Sequence, residues 1–200
     1  MRVLLVGTRP DAVDDTRTVL EDAGHEVVQC RDAHAEAFAC TALTDRGSCP
    51  FEVGPVDVVV TARERALGAP AAREDGAVCG IHRLVPLVVH GATAADPFAP
   101  WAAAESQTSD ELRAAVLAVG TAPLPEHGRT ATATLRDVLT VARVDPAGSD
   151  AVVTRVNGRL VVRLDLAPDA RDHAPNATVR ILTALRALDP YADGIDVVRV

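Results

Sequence analysis

Residues 2–24 place the tightest constraint on what this chain can fold into. A short apolar run, Val3-Leu4-Leu5-Val6, breaks at Gly7 into Thr8-Arg9-Pro10 and passes into a helical pattern that stops at Gly24. Val13, Val19, Leu20 and Ala23 share one helix face, and Asp11, Asp14 and Asp15 occupy the first turns, where the helix dipole favours acids. The stretch therefore reads as one strand-turn-helix unit. Open α/β sheets bind ligands outside the carboxyl ends of their strands, so the residues that follow Val6 matter more than most. They are Gly7 and Thr8, and neither titrates or holds a metal tightly.

The pattern continues as strand and helix in alternation. A second strand is expected over 25–30, a short helix over 33–42, a turn-rich piece over 45–50, and a buried strand over 56–61. A loop-rich span over 63–80, with a short helix at 71–74, leads to a strand over 84–89. Residues 90–100 contain two prolines, which argues against a full helix. A short strand over 101–104 and a helix from Thr108-Ser109-Asp110 to Val119, with Leu112, Val116 and Val119 on one side, complete this half. Strands alternating with helices predict a doubly wound parallel sheet.

Residues 121–128, with two prolines and a terminal glycine, read as a linker. Charge changes across it: residues 1–128 hold ten Arg against nineteen acids, a balance of -9, while residues 129–200 hold ten Arg against nine Asp, a balance of +1. That asymmetry supports a boundary, with domains at 1–120 and 129–200. The second part is expected as a small α-β-β-α-β unit: a helix over 130–143, strands over 151–156 and 159–166 joined by Asn157-Gly158, a helix over 176–188 after Pro175, and a strand over 195–200.

Composition narrows the function classes. Aromatic residues make up 2% of the chain, so stacking platforms for nucleobases are not expected. All twenty basic residues are Arg, which removes lysine chemistry such as Schiff bases. A net charge of -8 argues against sequence-independent binding of nucleic acid or an anionic membrane. No apolar run approaches ~18 residues and the amino terminus lacks a signal-peptide pattern, so a cytoplasmic setting is expected.

Residues 3–28 resemble the opening of response-regulator receiver domains, in which a Val/Ile-rich strand precedes a pair of acids and the first helix ends in Gly. Residues 56–62 resemble the strand that ends in the phospho-accepting aspartate, 86–92 the strand that ends in the switch Thr or Ser, and 105–112 the position of a Lys-Pro pair. Over 1–120 the resemblance implies a flavodoxin-like sheet of strand order 2-1-3-4-5. The chemical positions depart from the family: Gly7 and Thr8 replace the Mg²⁺-holding acids, Thr61 or Ala62 the acceptor, Gly91 the switch hydroxyl and Glu105 the lysine. Such a pseudo-receiver implies a fold kept for binding without aspartyl phosphorylation. Residues 156–160, Val-Asn-Gly-Arg-Leu, with the helix and strand that follow, are similar to BON-type or alkaline-shock-type domains, which implies an interaction module.

Cys30, Cys40, Cys49 and Cys79 all lie in the first half, separated by nine, eight and twenty-nine residues. No CxxC pair is present. With strand order 2-1-3-4-5, Cys49 and Cys79 precede neighbouring strands and are expected to meet, with Cys40 able to join them. Cys30 leaves the opposite edge, roughly 15 Å away for a five-residue strand, unless residues 31–55 fold back. Three readings stand side by side: ordinary small buried residues, a shared thiolate site for Zn²⁺ or an iron-sulfur cluster with His34 as an alternative ligand, and disulfides, which in a cytoplasmic setting would be regulatory.

Other side chains carry less. His90 and His82 flank the fourth strand and read as polar end caps, and Arg9 stands where it could meet an anion. Without a glycine-rich phosphate loop a nucleotide site has no support, and Ser48-Cys49-Pro50 precedes its strand rather than following it. Phe98 and Trp101 are expected to cap the core. No acid-base pair or triad commits the chain to catalysis. The expectation is a non-catalytic regulatory or scaffolding protein acting through protein contacts, with itself as one partner in a homodimer, and a cysteine-based metal or redox sensor as the alternative.

Overall fold

The computed structural model describes residues 1–31, 40, 49–63, 69–91 and 96–199 of the chain. Two compact units are present, Met1–Gly120 and Thr121–Val200. The first is built on five parallel strands in the order β2-β1-β3-β4-β5: β1 Arg2–Gly7, β2 Glu26–Val28, β3 Val58–Ala62, β4 Leu87–His90 and β5 Ala102–Ser106. The order expected from the sequence is the order found. Helix α1 (Pro10–Asp22) follows β1 and ends ahead of Gly24, which takes φ +79°. Helix α2 is one turn, Pro50–Val53, and α3 (Asp75–His82) follows a 3₁₀ turn at Ala72–Glu74. Helix α4 spans Ser109–Thr121 and closes the unit.

Side-chain alternation along β1 and β3 sends apolar residues to both faces of this sheet. Val3, Leu5, Val58, Val60 and Ala62 pack with Val13 and Leu20 of α1 and Leu112 and Val116 of α4. Leu4, Val6 and Val59 pack on the other face with Ala77 of α3, Leu87, Val89 and Phe98, and Cys30, Phe51 and Ile81 rest against that cluster. β3 is buried along its whole length, as a central parallel strand requires. The amino end of α4 carries a capping box: the Glu111 amide donates to Thr108 Oγ1 at 3.3 Å, and the Glu111 carboxylate accepts from the Thr108 and Gln107 amides at 3.1 and 2.7 Å.

Several expectations are corrected. The span over 63–80 is not loop throughout, because α3 runs from Asp75 to His82 with Gly76 and Gly80 inside it. Both glycines lower helix propensity, and both sit where the helix presses on the sheet. A Cβ on Gly76 would come within 2.7 Å of Val6 Cγ1, and one on Gly80 within 2.5 Å of Val59 Cγ2. The segment before β3 contains the one-turn helix α2 that the irregular sequence concealed. Trp101 does not cap the core: it is 56% exposed, while Phe98 is 1% exposed and alone fills that place. The helix expected over 33–42, most of the turn expected over 45–50, His34 and Ser48 lie outside the described residues.

The second unit has a three-stranded sheet in the order β6-β7-β8, made of β6 Asp150–Val156, β7 Arg159–Asp165 and β8 Gly194–Arg199. β6 and β7 are antiparallel and β7 and β8 parallel, so the sheet is mixed. Asn157 and Gly158 take φ +49° and +74°, the left-handed pair that a two-residue hairpin turn needs. Helices α5 (Pro125–Val141) and α6 (Ala174–Leu188) cover one face, with Leu135, Leu139, Ile181 and Leu185 against Val153, Leu160, Val162 and Leu164. Residues 125–128 are therefore the first turn of α5 rather than linker. Pro125 stands at the start of the helix, where its missing N–H has no acceptor to lose. Among the described residues no helix is long and apolar enough to cross a membrane.

Candidate functional site: the strand exits and a thiol group

The carboxyl ends of β1, β3, β4 and β5 open into a cleft of about 410 Å³, lined by Arg9, Asp11, Asp15 and Thr16 of α1, Ala62 and Arg63, His90 and Gly91, Gln107 and Ser109. Gly7 is required by contact, since a Cβ there would stand 2.5 Å from Val13 Cγ2 and 2.8 Å from the Ala62 carbonyl oxygen. Gly91 has φ +75°, and a Cβ there would meet the Arg63 carbonyl oxygen at 1.9 Å. Thr61 faces away from the cleft, beside Val59, with its hydroxyl buried and no hydrogen-bond partner among the described residues. Glu105 is exposed on β5. The positions singled out in the sequence thus surround the strand ends without converging on one reacting point. Arg9 reaches Asp11 at 3.3 Å, and His82 is exposed at the end of α3.

His90 Nδ1 lies 3.0 Å from Ser106 Oγ. Burial holds the imidazole below its ordinary pKa, against the Ser106 contact and the Glu111 charge, so it is neutral at pH 7. The backbone around it is pinned by the Arg63 amide, which donates to the His90 carbonyl at 2.8 Å, and by the Gly91 amide, which donates to the Ser106 carbonyl at 2.8 Å.

Arg63, the residue immediately after β3, is a feature that the sequence did not reveal. Its guanidinium is buried and bridges Glu74 (Nε to Oε1 2.8 Å, Nη2 to Oε2 3.2 Å) and Asp96 (Nη1 to Oδ2 2.9 Å), with the Phe98 ring centroid 5.5 Å away. Glu74 also accepts from the Ala71 amide at 2.8 Å, and Asp96 from the Phe98 amide at 2.8 Å. Burial pushes the Glu74 carboxyl above its usual range, while the Ala71 amide and Arg63 pull the other way. This brace ties the β3 exit to the segments before α3 and before β5. The available sequence signal was an Arg directly after a strand whose only polar residue is Thr61.

The four cysteines are thiols, and the separation expected for Cys30 is overturned. Cys30 lies just beyond β2, and its sulfur fills the notch left by Gly76 of α3: a Cβ there would stand 2.8 Å from Cys30 Sγ. Cys79 is on the same helix one turn later, at an exposed position. Cys49 immediately precedes α2, whose Phe51 ring reaches to 3.7 Å of the point where a Gly80 Cβ would be. The glycines let α3 sink onto β1 and β3, and this draws its thiol toward the end of β2. Burial pushes the Cys30 thiol up to about 12, and the neighbouring Cys79, Cys40 and Cys49 add to the shift. Cys79 is raised by burial and then by Cys40 and Cys49. Among the described residues, no three His, Cys, Asp or Glu side chains are close enough to share a single ion.

The second unit contains a buried trio of charged and polar side chains, His127, Arg155 and Asp189. Asp189 Oδ2 accepts from Arg155 Nη2 at 2.5 Å and lies 3.3 Å from His127 Nε2. Burial opposes ionisation of Asp189, yet His127 and Arg155 together bring its pKa below the ordinary value. No family model matches the chain, and no curated protein or solved structure matches it.

Proposed function

We propose that this chain is a regulatory protein whose first unit responds to metal or redox state through Cys30, Cys40, Cys49 and Cys79, and which transmits that state through protein contacts. The observation that supports the reading is the seating of the Cys30 sulfur in the notch left by Gly76, on the helix that carries Cys79 one turn later, with Cys49 immediately ahead of α2, whose Phe51 packs toward the same helix. In a reducing cytoplasm thiols of this kind serve switching rather than permanent cross-links. Hydrogen exchange of the full chain, reduced, oxidised with diamide and exposed to zinc, tests this. Concerted protection changes over 26–31, 50–53 and 75–82 are expected; thiols that react with no change in those segments would refute it.

A second reading is favoured by the strand order β2-β1-β3-β4-β5. It takes the first unit as a flavodoxin-like pseudo-receiver and the chain as a scaffold that binds protein partners, a second copy included. Gly7, Thr8, Thr61, Gly91 and Glu105 stand where receivers carry phosphotransfer groups, and the second unit serves as the interaction module. Acetyl phosphate with Mg²⁺ should leave the intact mass unchanged, and light scattering should give a mass above the monomer. A phosphoryl adduct on the protein, or a strict monomer, would count against this reading.

A further inference from the structure

Resting on the scaffold reading above, in which a second copy is one of the partners, we infer that two copies of this chain associate through the groove between α5 and α6 of the second unit, about a twofold axis that sets α5 of each copy on α6 of the other. Each helix spends one row of side chains on its own core: Leu135 and Leu139 of α5, and Ile181 and Leu185 of α6, face the sheet. Another row on each helix borders an open groove of about 370 Å³. On α5 it is Thr134, Val138 and Val141, and on α6 Arg180, Ala184 and Ala187, both at the i, i+4, i+7 spacing of a continuous helix stripe. Two such stripes side by side form the kind of groove that receives the stripe of another helix. The side chains along it are short, so a facing helix can approach closely. Val141 is 85% exposed, and Val179, next to Arg180, is 62% exposed; covering such surface is the favourable term in association.

Charge identifies the occupant as a second copy. Asp137 lines the α5 wall of the groove and Arg180 the α6 wall, and neither has an ion-pair partner among the described residues. A twofold axis running along the groove carries the α5 wall of one copy onto the α6 wall of the other. Asp137 of each copy then comes to the side of Arg180 of the other, while the two aspartates, like the two arginines, stay on opposite walls. The contact has opposite-charge pairs and no like-charge pair, so the groove is its own electrostatic complement. The second unit is also where two chains of net charge -8 can approach, because residues 129–200 balance at +1 and residues 1–128 at -9.

Sedimentation equilibrium of the full-length chain tests the inference, and a monomer-dimer equilibrium is expected. Asp137→Arg and Arg180→Asp, both at exposed positions, should retain the circular dichroism of the fold. Each alone places like charges on facing walls and should weaken self-association by about tenfold or more. Mixed together, the two variants should associate with each other, because every facing pair is again opposite in sign; a variant that had merely lost its fold would not recover on mixing. Val141→Asp, which adds an acid at the most exposed apolar position of the groove, should weaken the parent dimer as well. A parent dimer indifferent to all three substitutions, or single variants that fail to recover on mixing, would overturn the groove contact and leave the scaffold reading standing. A strictly monomeric parent would overturn both and leave the groove to the helix of a different protein.

Discussion

Arg63 shows how one residue can fix the exit of a strand. Its guanidinium is buried between Glu74 and Asp96, and the burial is tolerable because each carboxylate also accepts a backbone amide. Arg63→Met would leave two buried acids facing each other, so a loss of about 3–5 kcal/mol in urea unfolding is expected. The loss should shrink as pH falls and the orphaned carboxylates take up protons. A variant as stable as the parent at pH 7 would show that the brace is dispensable. Nothing in the local sequence pairs Arg63 with Asp96, thirty-three positions away, and a charged residue after a strand reads as surface; this is why the sequence placed a loop there. Cys30 sets a second expectation at this scale. Burial holds its folded pKa at about 12, above the ordinary thiol value of 9.0. The unfolded chain therefore loses that proton first as pH rises, and the contribution to stability is whole below pH 9 and declines from there toward 12. Cys30→Ser should flatten the decline; an equal alkaline decline in both proteins would assign it elsewhere.

Among the elements, α3 separates propensity from packing. Gly to Ala inside a helix ordinarily stabilises by about 1 kcal/mol. Gly76→Ala should do the reverse, because its Cβ would approach Val6 Cγ1 at 2.7 Å and Cys30 Sγ at 2.8 Å. We expect a lower urea midpoint and faster alkylation of Cys30 as the helix lifts; a higher midpoint would mean that α3 does not press on the sheet as described. The two glycines that make the helix fit also hid it from sequence reading. The hairpin was legible for the opposite reason: Asn157-Gly158 states its own backbone conformation, with φ of +49° and +74°. The parallel α/β character was legible as well, since β1 and α1 announce such a unit within the first 24 residues; the strand order was what the resemblance over 1–120 implied, not something those residues state. Trp101 was misread because an aromatic residue beside Phe98 suggests burial, while the 3₁₀ turn at Ala99–Trp101 turns it outward.

For the molecule as a whole, the chain divides into Met1–Gly120 and Thr121–Val200, each with its own core. The second unit owns a closed cluster of Leu135, Leu139, Val153, Leu160, Val162, Ile181 and Leu185. Residues 121–200 expressed alone should unfold in one cooperative urea transition, with modest stability for so small a core; a gradual, non-cooperative loss of signal would mean that this core is incomplete without the rest of the chain. The place of Cys30 was not legible: four cysteines in one domain suggested a shared site, but the seat of Cys30 against Gly76 depends on how deeply α3 settles, which a strand-order argument does not contain. The central claim is that these four residues behave as one site. The direct measurement is the intact mass of the full-length chain after a brief alkylation pulse, with and without a strong chelator added to metal-loaded protein. Four cysteines that form one site should pass together from no adducts to four; steady accumulation of singly and doubly modified chains, at the rates of the denatured protein and indifferent to chelator, would contradict it.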